Sequence, residues 1–307
     1  MNWIFLALLA PFIYAINVFL DKYLISAKIP DYKGLPIFGV FLAIPTAGIL
    51  WITGGFQFLT LKDAFWIILS GVFTIWGFSL YLEALIKEET SIIIVLIQSS
   101  PVIVLILSYF ILNEAISTKQ LTGFFLLFTA SVLVSLKKSK QSFLSSESKT
   151  SFKFSEGLVY ILLADLLWGF NYIFIKFVSQ TISFQNLIMY ESIGVIIGTV
   201  SLFLFIPTIR RAFLKTITKI KKPILSLIFL NETLFLGAKI MTYLAVTLAP
   251  AALVSVLGST QIFFGIILGV CLTLLMPKAF KEDLSRSGLI KKSLFGIMAF
   301  VGIILVS

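Results

Sequence analysis

The chain has 307 residues, of which 59% are hydrophobic and only 12% are charged, and its mean hydropathy is +1.07. Because soluble domains are about 45–50% apolar, this composition indicates an integral membrane protein. The sequence has no histidine and a single cysteine, Cys271, so imidazole catalysis, paired-thiol chemistry and the usual zinc sites are excluded, and we expect no catalytic residue, metal or cofactor.

Apolar segments long enough to cross a bilayer recur along the whole chain. A spanning helix needs roughly 17–25 predominantly apolar residues. The polar residues between such segments define ten predicted spans: 3–22, 36–54, 64–86, 90–112, 118–136, 157–177, 185–206, 224–247, 250–275 and 292–306. Residues 137–156 are rich in serine and lysine, which is typical of a solvated linker. The predicted fold is an all-α polytopic membrane protein with two five-helix units, 1–136 and 157–307.

The two units share a sequence pattern. The first predicted helix of each carries similar residues at a spacing of 154: Tyr14, Ala15, Asn17 and Lys22 in one, and Trp168, Gly169, Asn171 and Lys176 in the other. Further along, Tyr81, Leu82 and Gln98 correspond to Tyr243, Leu244 and Thr260. Two related units of several helices are typical of carriers built from structural repeats.

Most of the positive charge lies between the predicted spans, so the formal net charge of +10 does not indicate nucleic-acid binding. Twenty of the 24 Lys and Arg residues follow odd-numbered spans, and only three follow even-numbered spans. Under the positive-inside rule, the linker 137–156 faces the cytoplasm and both termini face outward, in the plasma or inner membrane. No phosphate-loop or dinucleotide motif occurs, so ATP is not the expected energy source.

Three short motifs carry a family resemblance. They are Gln98-Ser99-Ser100-Pro101, then Leu112-Asn113-Glu114 with Gln120 and Gly123, and finally Leu167-Trp168-Gly169-Phe170-Asn171 with Lys176. They resemble parts of the repeat in EamA-type carriers of the drug/metabolite transporter superfamily, although the second unit lacks a counterpart of Glu114. The resemblance covers nearly the whole chain. It implies ten helices in two inverted five-helix repeats, around a central cavity lined by the first, third and fourth helices of each repeat.

Four ionisable residues lie well inside the predicted spans, all in the second unit: Asp165, Glu191, Glu232 and Lys239. Ionisable groups inside a bilayer are costly and usually mark a functional site. Glu232 and Lys239 are seven residues apart, so they share one helix face about 10 Å apart along the axis. This spacing suits a zwitterion, whose ammonium group meets Glu232 and whose carboxylate meets Lys239. The alternative is a structural role in which Asp165 or Glu191 neutralises Lys239.

Neutral polar residues complete the predicted substrate site. Asn17 and Asn171 occupy matching positions, where an amide in lipid needs either another helix or the substrate as a partner. Side chains with a polar edge are further candidates to line the cavity: Tyr14, Trp168, Tyr81, Tyr243 and Gln98. The buried carboxylates also permit proton coupling, because burial disfavours their charged form.

The sequence therefore predicts a secondary transporter that moves a small polar or amphipathic metabolite by alternating access, with an amino-acid-like zwitterion favoured. The expected partners are a small-molecule substrate, the lipid bilayer and protons as the coupling ion, with the protein a monomer or a homodimer. A drug or lipophilic-cation exporter of the same fold is the alternative. A membrane-embedded enzyme acting on a lipid-linked substrate is disfavoured by the lack of histidine and of a large extramembrane loop, and a channel by the lack of a pore motif.

Overall fold

The architecture comes from a computed structural model of the chain. It describes residues 3–54, 56–112, 117–135, 137–138, 152–153, 156–178, 181–248, 257–258, 260–277, 280 and 282–306. Asn113 and Glu114 of the second motif, most of the predicted linker and the start of the ninth predicted span lie outside these residues. The described residues are helical apart from turns, short connections and one antiparallel pair, Lys137–Lys138 with Phe152–Lys153.

The helices are defined here by their first and last residues. In chain order they are α1 (Trp3–Ala27), a 3-10 helix (Tyr32–Gly39), α2 (Val40–Thr53), α3 (Leu61–Lys87), α4 (Thr90–Ile97), α5 (Ser100–Leu112), α6 (Thr118–Ser135), α7 (Glu156–Val178), α8 (Phe184–Phe205), α9 (Pro207–Lys219), α10 (Lys222–Leu248), α11 (Gln261–Leu275) and α12 (Arg286–Val306).

Six helical segments of the described chain are long and apolar enough to cross a membrane. They belong to α1, to the 3-10 helix continued by α2, and to α3, α7, α8 and α10, while α11 is a shorter apolar helix. Because a lipid-exposed backbone must satisfy its own hydrogen bonds, helices are the expected spanning element. The predicted all-helical polytopic membrane protein is therefore confirmed.

The fourth predicted span, 90–112, is not one helix. It divides into α4 and α5 at Gln98 and Ser99, whose amides bond to the carbonyls three residues earlier, at 3.2 and 2.9 Å. Pro101 explains the break, because proline has no amide hydrogen to donate to the carbonyl four residues earlier, whereas proline is tolerated in the first turn of a helix such as α5. The break places polar side chains inside an otherwise apolar region.

Helix α9 lies in a segment that the sequence analysis treated as a loop. Its buried side chains Ile209, Ala212 and Thr216 recur at helical spacing, while basic residues cover its other faces. The Thr216 hydroxyl donates to the Asp31 carbonyl oxygen at 3.1 Å, which fixes α9 beside the 3-10 helix. A hydropathy criterion misses such a helix because α9 is amphipathic rather than apolar throughout.

Helix α3 lies at the centre of the packing. It packs along α7 and α8, while α1 packs along α10, α6 along α12 and α4 against α11. The α3 and α8 backbones touch: a Cβ atom at Gly71 would collide with the Glu191 carbonyl oxygen, and one at Gly194 with the Ile68 carbonyl oxygen. Small residues permit such close approach in membrane helices, and here they set Glu191 directly beside α3.

Candidate functional site

A first polar cluster joins α1, α3 and α10, and consists of Asn17, Asp21, Tyr81 and Asn231. The Asn17 amide nitrogen donates to the Asn231 backbone and side-chain oxygens at 2.9 and 2.8 Å. The Asn231 amide nitrogen donates to Asp21 Oδ1 at 2.7 Å, and the Tyr81 hydroxyl donates to Asp21 Oδ2 at 3.0 Å. All four residues are buried, and the network replaces lost water for their side-chain polar atoms except Asn17 Oδ1, which has no partner among the described residues.

Asp21 and Asn231 were not among the predicted site residues. The sequence analysis ended the first span at residue 22, which put Asp21 next to its edge rather than well inside it, whereas α1 continues to Ala27. Asp21 follows Asn17 by four residues, so the two side chains share a helix face. That spacing was the available signal for Asp21.

A second polar cluster joins α3, α7, α8 and α10, and consists of Thr74, Asn171, Glu191 and Lys239. The Lys239 ammonium group bonds to Glu191 Oε2 at 2.7 Å, and Glu191 is fully buried. The Asn171 amide donates to Thr74 Oγ1 at 2.9 Å and to the Ser70 carbonyl oxygen at 3.0 Å. The structure thus pairs Lys239 with Glu191, one of the two acids that the sequence left open.

Aromatic residues surround the second cluster. The hydroxyls of Tyr14 and Tyr243 lie within electrostatic range of Glu191 and of the Tyr172 hydroxyl. The indole nitrogen of Trp168 donates to the Thr74 carbonyl oxygen at 3.2 Å. Three predicted aromatic residues, Tyr14, Trp168 and Tyr243, are therefore placed around the second cluster, whereas Tyr81 belongs to the first.

Glu232 lies on α10 between the two clusters. Its side chain is partly exposed, and its electrostatic neighbours are Asp21 and Lys239. One carboxylate oxygen points toward the junction of the 3-10 helix and α2, 3.7 Å from the position of a Cβ atom at Gly39. Within the described part of the chain, Glu232 makes neither a hydrogen bond nor an ion pair, so its carboxylate is available to a ligand.

The remaining two predicted residues lie around the α4–α5 break. Asp165, on α7, is hydrogen-bonded to the Ser99 hydroxyl, with Oδ2 and Oγ 2.5 Å apart. The Gln98 amide donates to Gln261 Oε1 at 3.3 Å, across the contact between α4 and α11. Neither residue joins the first or second cluster. No group of three or more potential metal ligands occurs among the residues that the structure describes.

A polar contact also joins the two units outside the long spans. Lys292 bonds to Glu89 at 2.5 Å and to Glu282 at 2.7 Å, and the Ser91 hydroxyl donates to Glu282 at 2.5 Å. Burial opposes ionisation of Glu282, but the adjacent Lys292 outweighs it and lowers the pKa of that carboxyl below its usual 4.5. We call this group the Lys292 cluster.

Comparison with known proteins connects this arrangement to a transporter family. The model of the EamA-like transporter family matches residues 1–136. No curated protein matches the chain. One solved crystal structure, named only as that of a protein, is similar with a TM-score of 0.58 at 11% identity, covering 98% of this chain and 99% of that chain, which shows likeness of fold alone. The predicted resemblance is confirmed over residues 1–136, which match the EamA-like transporter family of the drug/metabolite transporter superfamily.

Proposed function

We propose that the protein is a secondary transporter that moves a small polar or amphipathic metabolite by alternating access between two inverted five-helix repeats. The first repeat covers residues 1–136 and the second 157–307, with the linker 137–156 between them. Helices α4 and α5 then form one broken span, α11 forms the described part of the ninth span, and α9 lies at the membrane surface. The positions of the matched asparagines support this arrangement, since Asn17 bonds to α10 and Asn171 bonds to α3.

Glu232 is the observation that carries the substrate proposal. A carboxylate inside a membrane-spanning helix is costly unless it is paired, and its partner in transporters is often the ligand. Glu232 is partly exposed, has the Asp21 carboxylate as a neighbour and lacks a bonded partner among the described residues. A positively charged group, such as the ammonium of a metabolite, fits this position.

Lys239 supports an amino-acid-like zwitterion as the substrate. It lies two helix turns from Glu232, about 10 Å along α10, so one solute can reach both side chains. Glu191 occupies one of the three ammonium donors of Lys239 in the described structure, which leaves donors for a substrate carboxylate. In this role Glu191 holds Lys239 in place rather than removing it from the site.

A lipophilic cation is the second candidate substrate. The Lys239–Glu191 ion pair favours a cation. Because Glu191 neutralises Lys239, the carboxylates of Glu232 and Asp21 are the charges that remain for a substrate. Tyr14 packs edge-on against Phe235 with ring centroids 5.8 Å apart, one helix turn from Glu232. Aromatic faces of this kind bind cations. The two candidates differ in whether Lys239 contributes to binding.

The proposed orientation has the linker in the cytoplasm and both termini outside. It is supported by the distribution of basic residues, because α9, Lys33 and the Lys292 cluster all belong to connections after odd-numbered spans. Lys22 reinforces this end of the bundle by donating to the carbonyl oxygens of Leu85 and Glu88. Protons are the proposed coupling ion, and the protein acts as a monomer or a homodimer.

Counterflow in proteoliposomes tests the proposal. Liposomes preloaded with unlabelled zwitterionic amino acids, or with tetraphenylphosphonium, are given the same compound in labelled form. We expect exchange of at least one probe, and its loss in Glu232→Gln but not in Asp63→Asn, a control at the exposed start of α3. Loss in a Lys239→Gln protein that keeps wild-type helical circular dichroism identifies the zwitterion, whereas retained exchange of tetraphenylphosphonium identifies the cation. Normal exchange by Glu232→Gln contradicts the substrate proposal.

A further inference from the structure

Asp165 is a buried acid that the proposed substrate site does not use. It lies near the middle of α7 and has no exposed surface. Ser99 Oγ is 2.5 Å from Asp165 Oδ2, whereas Asp165 Oδ1 has no hydrogen-bond partner among the described residues. One oxygen of this carboxyl group is therefore hydrogen-bonded, and the other has no partner among the described residues.

The helices packed against α7 supply no positive charge to Asp165. These helices are α3, α4 and α5, and the sequences of α4 and α5 contain no charged residue. On α3, the Tyr81 hydroxyl donates to Asp21, and Lys87 lies over the Tyr160 ring with its nitrogen 5.7 Å from the centroid. Lys62, at the other end of α3, lies over the Phe177 ring at 5.3 Å. Among the described residues, Ser99 is thus the one polar partner of Asp165, and no cation is near it.

The other buried acids differ from Asp165 in this respect. Glu191 is paired with Lys239, which stabilises its charged form. Asp21 accepts a hydrogen bond on each oxygen, from Tyr81 and Asn231, which also favours the anion. A carboxylate with a bare oxygen and no cation is strongly disfavoured inside a protein, whereas the neutral acid can donate Oδ2–H to Ser99 and tolerate one unpaired acceptor.

We propose that Asp165 is the proton-binding site of the transporter, which holds a proton in the described conformation and releases it to water when α7 parts from the α4–α5 break. This inference rests on the proposed transport function and assigns the coupling ion to one residue. The released proton passes to water in the opened space, and the carboxylate left behind is hydrated there. Repacking requires a proton to return, so the two conformations differ by one bound proton.

The position of Ser99 explains how proton binding is linked to conformational change. Ser99 lies in the break itself, and its neighbour Gln98 bonds to Gln261 at the start of α11, in the other repeat. Broken helices are where ion sites form in transporters with repeats, because backbone there can move without breaking a continuous helix. A movement of α5 or α11 therefore reaches the Ser99–Asp165 bond directly.

Infrared spectroscopy of the full chain in liposomes tests the proposal without a substrate. The spectra compare wild type, Asp165→Asn, which keeps the side-chain shape and a donor toward Ser99, and Asp63→Asn as the matched control. At neutral pH we expect a carboxylic-acid C=O band in wild type and Asp63→Asn that is missing from Asp165→Asn. Ser99→Ala, which removes the acceptor, should shift this band. Identical bands in wild type and Asp165→Asn would mean that Asp165 is ionised, and the proposal would be overturned.

Transport with zwitterionic amino acids and tetraphenylphosphonium as probes tests the coupling itself. Wild type should accumulate a probe against its gradient when a pH gradient is imposed. Asp165→Asn should keep counterflow exchange but lose this accumulation, falling to the level of protein-free liposomes. Accumulation that survives in Asp165→Asn, or failure of wild type to accumulate any probe that it exchanges when the pH gradient is imposed, overturns the proposal. Absence of counterflow with every probe contradicts the proposed function instead, and the infrared spectra then still decide whether Asp165 holds a proton.

Discussion

The first and second polar clusters make equivalent contacts with different charges. In each, an asparagine bonds to a helix of the other proposed repeat: Asn17 on α1 to Asn231 on α10, and Asn171 on α7 to Ser70 and Thr74 on α3. Next to Asn17 stands a carboxylate, Asp21, held only by neutral donors in the described structure. Asn171 stands next to an ion pair.

The asparagine contacts hold helices together in both clusters, whereas the charged residues differ between the two proposed repeats. The asparagine contacts recur because two helices meet in the same way twice, and an amide in an apolar bundle needs a partner at each place. The charges do not recur, since Ser70 and Gly77 of α3 correspond in sequence to Glu232 and Lys239 of α10.

Breaking the ion pair of the second cluster should have the largest effect. Glu191→Gln leaves Lys239 buried without its counter-charge, and loss of one partner of a buried pair costs about 3–5 kcal/mol. We expect much lower stability in detergent, measured by the loss of helical circular dichroism on heating. Replacing both partners, Glu191→Leu with Lys239→Met, should restore most of the loss, since no charge remains buried. A single variant as stable as wild type would show that the pair does not hold the cluster together.

The helix approach that positions Glu191 provides the next test. Gly71→Ala places a methyl group against the Glu191 carbonyl oxygen, and overpacking of this kind costs about 1–3 kcal/mol. The matched control is Gly237→Ala on α10, where nothing lies within 4 Å of the new Cβ atom. This control should be neutral or more stable by up to about 1 kcal/mol, because alanine favours helix. Equal thermal stability of the two variants would contradict the close α3–α8 contact.

Sequence alone predicted the helical character and the matching asparagines, because apolar length and residue type are local properties. It could not choose between Asp165 and Glu191 as the partner of Lys239. That choice depends on which face of α7 and of α8 meets α10, and packing of glycines against carbonyl groups decides it. Asp21 was missed for a related reason, since an acid near a predicted helix end resembles an interfacial residue until the helix is seen to continue.

The broken fourth span shows a second limit of sequence reasoning. Pro101 and the polar pair Gln98–Ser99 were visible, but proline is common in membrane helices and does not by itself predict a break. Helix α9 was missed because surface helices bury only one narrow face, which a hydropathy average does not detect. Both elements make specific contacts: Ser99 of the break bonds to Asp165, and Thr216 of α9 bonds to the backbone of Asp31, next to the 3-10 helix.

Removing the asparagine amides should have a smaller effect than breaking the ion pair. Interhelical hydrogen bonds in membrane proteins contribute about 0.6 kcal/mol on average and up to about 1.7 kcal/mol. Asn171→Ala removes two such bonds to α3. Asn17→Ala removes those to Asn231 and also frees the residue that positions Asp21, so we expect it to reduce transport as well as thermal stability. Asn171→Ala should mainly reduce stability. Normal transport by Asn17→Ala together with lost transport in Asn171→Ala would contradict this difference between the two clusters.

The Lys292 cluster should give the smallest effect, and one that depends on pH. The pKa of Glu282 is lowered in the folded protein, because Lys292 outweighs burial. A carboxyl with a lowered pKa stabilises the fold above its unfolded pKa, near the usual 4.5, and this stabilisation disappears as pH falls below that value. In Glu282→Gln, Lys292 keeps Glu89 as a partner, so the loss should be no more than about 1 kcal/mol. Melting temperatures of wild type and Glu282→Gln should therefore differ at neutral pH and converge in acid. If the difference persisted well below pH 4.5, neutral hydrogen bonds such as that from Ser91, rather than charge, would hold this contact together.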